Sequence, residues 1–583
     1  MGISHMTRHL SSLSESILLG KSHIQSAQAV RSAVIDGPGL VYHVYSILLA
    51  QASTHISQIE RQPSCDEVSV AVMTYLVLLQ ISGVNINMTS SKIYFDGALP
   101  LHKRETRLSR LEISRKQLET FCLTQRDGFR LSSIERRPET MHPRRLLGSH
   151  NSAVKRAKLP GNPFMVSAVT EDLKSRWTAA EIKSTLPRRL ASLYERNVDD
   201  RLSDLTEIVP GEADMFCASL AAQKPGTAIL TSDSDLLVFE LGPDSSVILF
   251  DTIYSENWDD EDPTQSMIKA MRFCPASISD RLGIPALSYL AHEMELSPRS
   301  TLVELVRRAK DASQSNQKTP AYISFLKEYD LTNFQYNPSK SRLLQNYDTR
   351  ISELLAQCFW SDEFQDQTGT PRIYLPFLVE DHSRRCAWTD GARIRRLAYS
   401  LINMNSFLTE KYPTINECVR RGRRFCFDDV ACYSEQEEIE AEATRLIDGL
   451  EFVQNVENSP LLFWRLFALY EVRTDWFMSQ KTQNIPPQDY RDGLKAFLGI
   501  DSSSRNKIGV IDWDNVHALA QLQAVLYSLR MVFQVTRDLE LGDGPVKKLR
   551  GLLAGLPPLH VLTRSFHEVR REFHGDFSSE SAA

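Results

Sequence analysis

The chain lacks any C-x-x-C pair or close His/Cys cluster, although nine cysteines are scattered over its 583 residues. Ligands at short spacing are what a structural zinc site requires, so none is expected. Scattered cysteines in odd number also speak against a disulfide framework and fit a reducing compartment. No apolar run is long enough to span a bilayer and no signal-peptide pattern opens the sequence, so a soluble, intracellular protein without membrane contact is expected. Met6 stands where a myristoylation signal wants Ser or Thr, which leaves Gly2 needing another reading. An excess of positive charge is missing too: 67 Lys and Arg face 73 Asp and Glu, a formal net charge of -6. That excludes a polycation, and any nucleic-acid contact must come from a local basic region. There is no tandem repeat of fixed period and no long low-complexity tract.

What is present is a recurring grammar of strand, turn and helix. Residues 33–35 form a short apolar stretch ending in Asp36-Gly37-Pro38-Gly39, and residues 42–50 then read as an apolar helix face. The same order recurs at 92–95 followed by Asp96-Gly97, and at 227–230 followed by Thr231-Ser232-Asp233-Ser234-Asp235. Short apolar strands alternating with helices predict an α/β fold with a mostly parallel sheet covered on both faces. Beyond about Asp280 the apolar positions recur at helical spacing, in 302–309, 351–360, 392–402, 437–453, 461–470 and 516–532. A chain of this length is expected to hold two or more domains. We read an α/β domain over 1–285 and a mainly α-helical domain over 286–583.

Between about 104 and 160 the character changes to a basic insertion, with Arg104, Arg107, Arg110, Arg115, Lys116, Arg126, Arg130, Arg136, Arg137, Arg144, Arg145, Lys155, Arg156 and Lys158 facing far fewer acids. Pro138, Pro143, Gly148 and several serines predict a loop over 136–158.

Three sheet-type elements end in acids: Asp36, Asp96, and the pair Asp233 and Asp235. In an open parallel sheet the C-terminal ends of the strands share one edge, so these acids can converge across nearly the whole domain. Pro210-Gly211-Glu212-Ala213-Asp214 reads as a helix start with acids in its first turn. An Asp after a strand is commonly a turn residue or helix cap. Six carboxylates at one place, however, repel one another unless cations compensate. Hard oxygen donors suit Mg²⁺ or Mn²⁺, and one or two such ions can serve phosphodiester hydrolysis.

At these residues the sequence resembles the flap-endonuclease (XPG-type) family, whose nuclease domain has a PIN-like fold. Met1-Gly2-Ile3 is similar to the family's N-terminus, whose glycine packs at the active site. V-I-D-G at 34–37 and Y-F-D-G at 94–97 resemble its first two acidic motifs, and P-G-E-A-D at 210–214 with T-S-D-S-D-L-L-V-F at 231–239 resemble its internal motif. The resemblance implies metal-binding roles for Asp36, Asp96, Glu212, Asp214, Asp233 and Asp235. It also implies catalytic roles at the scissile phosphate for Lys103 and Arg110, seven and fourteen residues after Asp96. Gly2, Arg104, Arg107, Arg136, Arg137, Arg144 and Arg145 are the candidate substrate contacts.

The family's helix-hairpin-helix and the seventh acid before it are not recognisable: the corresponding stretch reads Leu290-Ala291-His292-Glu293-Met294-Glu295-Leu296, where Glu293 is either a substitute or an exposed helix residue. Tyr374-Leu375-Pro376, Glu380-Asp381, Ala387-Trp388 and Arg396-Leu397-Ala398-Tyr399-Ser400 resemble fungal proteins of the Asteroid branch. Arg420-Arg421-Gly422-Arg423-Arg424 reads either as a basic patch for nucleic acid or as a solvated surface or partner contact. The expected activity is a Mg²⁺- or Mn²⁺-dependent, structure-specific nuclease acting on DNA, favoured over RNA, with a nuclear location favoured over a cytoplasmic one. A protein partner for the C-terminal half is a further expectation. The alternative is a nuclease fold kept as a scaffold or regulatory protein.

Overall fold

Five short strands run parallel at the centre of the computed structural model, which describes residues 3, 5–19, 30, 32–52, 57–82, 92–130, 143–148, 159–197, 201–255, 258, 266–314, 319–332, 334, 336–365, 369–406, 408, 410–482, 487–500 and 510–574. In chain order the strands of the first half are β1 (Glu15–Leu19), β2 (Ser32–Asp36), β3 (Ile93–Asp96), β4 (Phe129–Arg130), β5 (Thr206–Val209), β6 (Thr227–Thr231), β7 (Ser246–Leu249), β8 (Tyr254–Ser255) and β9 (Ile268–Phe273). The main sheet has the order β1-β9-β7-β6-β2-β3-β5, with β8 also on β9. Pairings among β5, β3, β2, β6 and β7 are parallel, and β9 joins antiparallel to β7, β1 and β8. The expected α/β architecture is therefore present.

β2 is buried at all five positions, as a central strand covered on both faces must be. Strand alternation sorts its side chains between two apolar layers. Ala33, Ile35, Phe95, Ile208 and Leu230 face one, and Val34, Tyr94, Val209, Ile229 and Cys217 belong to the other. Cys217 is fully buried there, a small core residue as its surroundings in the sequence suggest. The helix Cys65–Ile81 fills the first layer. It is apolar on nearly every side, and a capping box between Ser64 and Glu67 fixes its start.

The helices expected after residue 285 are present, among them Leu302–Gln314, Thr349–Phe359, Ala392–Ile402, Gln436–Gln454, Pro460–Val472 and Trp513–Arg537. Leu302–Gln314 packs in the second layer through Leu305 and Ala309, and the others share the first layer's core, which runs from Ile17 to Val569. The last helices return to the first half: His560 Nδ1 lies 2.9 Å from Asp172 Oδ1, and Ser69 donates to Asp172 Oδ2 at 2.6 Å. Among the described residues no helix is long and apolar enough to cross a membrane.

One feature differs from expectation, and two expectations are sharpened. The mainly helical half also holds a three-stranded sheet of β10 (Arg372–Tyr374), β11 (Thr414–Arg421) and β12 (Arg424–Ala431). Its apolar alternation is masked because buried charges, Glu417 and Arg420, occupy inward positions of β11. The run Arg420-Arg421-Gly422-Arg423-Arg424 turns this hairpin, and only its first arginine is buried, the other three being exposed as the solvated-surface alternative has them. Arg420 is 1% exposed and donates to Glu380 at 2.9 Å, Arg421 pairs with Asp428, and Arg423 reaches Glu119 at 3.4 Å. Finally, the basic insertion begins as a 21-residue helix, Arg104–Thr124, in which Arg115 is buried between Glu112 and Glu119. The loop expected over 136–158 lies largely outside the described residues, apart from a short helix, Pro143–Leu147.

Removing one partner of a buried ion pair leaves the other charge stranded, whereas exposed pairs contribute little. Glu380→Gln is expected to cost about 3–5 kcal/mol, and Arg421→Ala under about 1 kcal/mol. Chemical denaturation of the two variants distinguishes a structural Arg420 from a member of a surface patch, which would show two small and similar losses.

Candidate metal centre

Register places the acids. Ile35 lies beside Leu230 of β6 and Asp36 beside Tyr94 of β3, so the strand ends carrying Asp36, Asp96 and Thr231 emerge on one edge. Asp96 in turn sits beside Val209, the last residue of β5, from which the chain turns through Gly211 into Glu212 and the helix Ala213–Gln223. Gly97 and Ala98 donate to the Gly211 carbonyl at 3.1 and 3.4 Å, locking the two strand exits together. Asp36 is also the N-cap of the helix Gly37–Gln51, accepting from Gly39 N at 3.1 Å. Gly39 is required by space: a Cβ there would meet Asp36 Oδ2 at 2.1 Å and Ser232 N at 3.1 Å. Its absence lets the β2 and β6 exits close on each other.

Five of the six acids have a polar partner. Thr231 donates to Asp36 Oδ2 at 2.7 Å and accepts from Asp233 N at 2.9 Å. Ala213 N donates to Asp96 at 2.7 Å, Asp235 N to Asp233 at 3.0 Å, and Ile3 N to Asp235 at 2.7 Å. Glu212 lies 3.4 Å from Lys103 Nζ. The Ile3 contact brings the N-terminal segment to the site, although Gly2 itself lies outside the described residues.

The acids feel one another. Burial raises the Asp36 carboxyl to about 7, Thr231 and Gly39 pull it down, and Asp96 and Asp233 push it up. Burial also raises Asp214 well above the carboxylate range, with Asp36, Asp233, Asp96 and Glu212 adding to the rise. Asp96 moves the same way through burial and Glu212, against Ala213, Arg107 and Lys103. Asp235 reaches about 6 through burial and Asp233, opposed by Ile3 and Lys103. All six acids predicted from the sequence thus meet in one electrostatic neighbourhood.

Lys103 joins them: burial lowers its ammonium, but Glu212, Asp214 and Asp235 outweigh that and raise it. Arg110 is exposed on the helix Arg104–Thr124 that follows Lys103, and shares the surroundings of Tyr42 with Arg350, Asp96 and Arg107. Arg107 is turned sideways into an ion pair with Glu353 and lies over the Tyr374 ring. Arg104 is half-buried at the helix start, Arg144 and Arg145 are exposed, and Arg136 and Arg137 lie outside the described residues. Glu293 is 3.9 Å from His292; it is Glu295 that acts on Asp235. Thr231 and Glu353 were not identified from sequence. Thr231 stood in plain view as the first residue of its motif, but Glu353 is 246 residues from its partner.

Among the described residues no three His, Cys, Asp or Glu side chains stand as a ready-made group for an ion. Asp36, Asp96, Glu212, Asp233 and Asp235 instead lie with the partners above. The donor set nevertheless fits Mg²⁺ or Mn²⁺: all its members are hard oxygens, and their burial and mutual repulsion favour a divalent cation.

The raised carboxyls fix the sign of a pH effect. Asp36 moves from 3.8 to about 7, so between those values the folded protein binds a proton that the unfolded chain has released. Stability contributed by this group is therefore lost as pH rises through that window. Without metal, melting temperature is expected to fall relative to Asp214→Asn as pH goes from about 4 to about 7, and millimolar Mg²⁺ at pH 7.5 should restore it by binding the folded form. A melting temperature that neither Mg²⁺ nor Asp214→Asn raises at pH 7.5 would reject the clustered site.

Residues 161–432 match the family model described as XPG domain containing, a stretch that includes Glu212, Asp214, Asp233 and Asp235 and continues through the second sheet. No curated protein matches the chain. The match spans less than half of the chain, and over that stretch the chain is similar to XPG-domain proteins.

Proposed function

We propose that the protein is a divalent-metal-dependent, structure-specific nuclease that hydrolyses phosphodiester bonds at branched or single-stranded ends, in DNA ahead of RNA, serving DNA repair in the nucleus. The observation that carries this reading is the convergence on Asp214 of Asp36, Asp96 and Asp233, which end or follow three different strands, together with Glu212 of its own helix start. Such a concentration of like charge is costly in a merely structural site. Asp36, Asp96, Glu212, Asp214, Asp233 and Asp235 would hold the ion or ions. A bound Mg²⁺ or Mn²⁺ supplies Lewis-acid polarisation of the phosphate and makes water a better nucleophile. Lys103, half-buried among the acids, offers a fixed positive charge to the negative charge that develops at phosphorus. Arg110, at the exposed rim, offers a second charge to the approaching backbone. The Asteroid branch and a protein partner for the C-terminal half belong to the same proposal.

One observation favours a second reading, a nuclease fold retained as a scaffold: five of the six acids lie with polar partners and, among the described residues, the acids do not form a ready-made ion group. Cleavage decides between the two. Wild-type protein with Mg²⁺ or Mn²⁺ is expected to cut flaps, overhangs or splayed ends, and Asp233→Asn to lose at least about a hundredfold in rate. Equal inertness or equal activity of the two across DNA and RNA panels leaves only the scaffold.

Substrate grip generates a separate expectation. Arg144 and Arg145 are exposed on the helix Pro143–Leu147, and with Arg136 and Arg137 they make this segment the candidate backbone contact. Neutralising all four should weaken binding to a single-stranded arm. It should also flatten the log–log salt dependence by roughly 0.7 per phosphate no longer bound. Superimposable salt curves would remove the segment from the binding surface.

A further inference from the structure

The helix Arg104–Thr124 carries Arg107 and Arg110 and begins directly after Lys103, yet only Arg115, Leu118 and Phe121 of its 21 residues are buried. Two buried apolar side chains are a weak hold on so long a helix. The ties that fix it come from beyond residue 350 and are spread along its length. At the near end, Arg107 pairs with Glu353 and lies 5.3 Å over the Tyr374 ring. Glu353 belongs to the helix Thr349–Phe359, whose Ser352 donates to the Gly97 carbonyl at 2.6 Å, just past Asp96. In the middle, Arg423 of the hairpin reaches Glu119. Further on, the Cys122 thiol faces the Glu380 carbonyl at 3.5 Å.

The far end is held most firmly. The Trp513 indole N–H donates to the Gln125 carbonyl at 2.7 Å, and its ring packs edge-on against Phe121 and Phe129 with centroids 6.0 and 5.2 Å apart. Beyond the helix, β4 pairs with β13 (Val510–Ile511), so the main chain itself is stitched to the C-terminal half. Gly128 makes that stitch possible: its φ is +81°, and a Cβ there would stand 2.4 Å from the Ile511 carbonyl oxygen.

We propose that Glu353 and Trp513 are positioning residues: the C-terminal half tethers the cation-bearing helix at both ends, so that Lys103 and Arg110 are set against the acids before any substrate arrives. The inference rests on the nuclease reading for its catalytic consequence, but the tether has a readout of its own. A misplaced cation harms the chemical step more than binding, because an error of about 1 Å in a reacting group can cost on the order of a hundredfold.

The test compares wild type, Glu353→Gln and Trp513→Ala by hydrogen exchange and by steady-state cleavage of a labelled DNA flap with Mg²⁺. Amides of residues 104–124 are expected to exchange about tenfold faster or more in both variants, while those of β2 and β6 stay as in wild type. The kcat should fall about tenfold or more, with KM moving less than about threefold. Trp513→Phe, which keeps an aromatic ring but cannot donate to Gln125, should give an intermediate result and replaces Trp513→Ala if that variant fails to fold. Unchanged exchange in the helix overturns the proposal, as does faster exchange with undiminished kcat. Wild-type protein without turnover defeats the nuclease reading instead; exchange alone then decides the tether, faster exchange sustaining it and unchanged exchange overturning it.

Discussion

Parallel pairing of β2 with β3 and β6 is the constraint from which the rest of the site follows. With Asp36 beside Tyr94 and Ile35 beside Leu230, three chain segments have to leave the sheet at the same edge. The carboxylates that end those segments then repel one another in a poorly solvated place. Gly39, Thr231, the Ala213 N–H and Lys103 all answer that repulsion, through space, hydrogen bonds or opposite charge.

Much of this was legible because strand ends leave local marks. An apolar run followed by Asp-Gly, or by T-S-D-S-D, records both the strand and the acid in a few consecutive residues, and β2, β3 and β6 all appeared where those marks lie. The helices after residue 285 were legible for a similar reason, since helical spacing is read within a short window. Other features had no local signature. Glu353 gains its meaning from Arg107, which the fold brings to it over a long sequence separation. Arg420 looked like one more surface arginine, because nothing in a basic run says that β alternation will bury its first member against Glu380. The second sheet escaped notice through the same buried charges.

The two halves are joined by specific polar contacts as well as by oil. Asp172, wholly buried, takes hydrogen bonds from Ser69 and sits against His560 near the end of the described chain. Such contacts are directional, so they set how the halves meet where apolar packing alone would tolerate several arrangements. The helix Arg104–Thr124 lies between them and takes its place from both, Lys103 being paired to Glu212 on one side and Arg107 to Glu353 on the other.

Asp36 serves the sheet edge and also caps the helix Gly37–Gln51 with the same carboxylate. On the nuclease reading, a single oxygen-bearing group is thus shared by two tasks, one architectural and one chemical, and neither can be altered in isolation. Sequence drift at this position is penalised twice. A descendant that abandoned chemistry would still be pressed to keep an acid, or at least a capping side chain, at position 36. Glu212 caps nothing with its side chain, and its second tie is the ion pair with Lys103. On that reading, Glu212 and Lys103 kept together would speak for chemistry in a collection of relatives, while Asp36 testifies mostly to the fold.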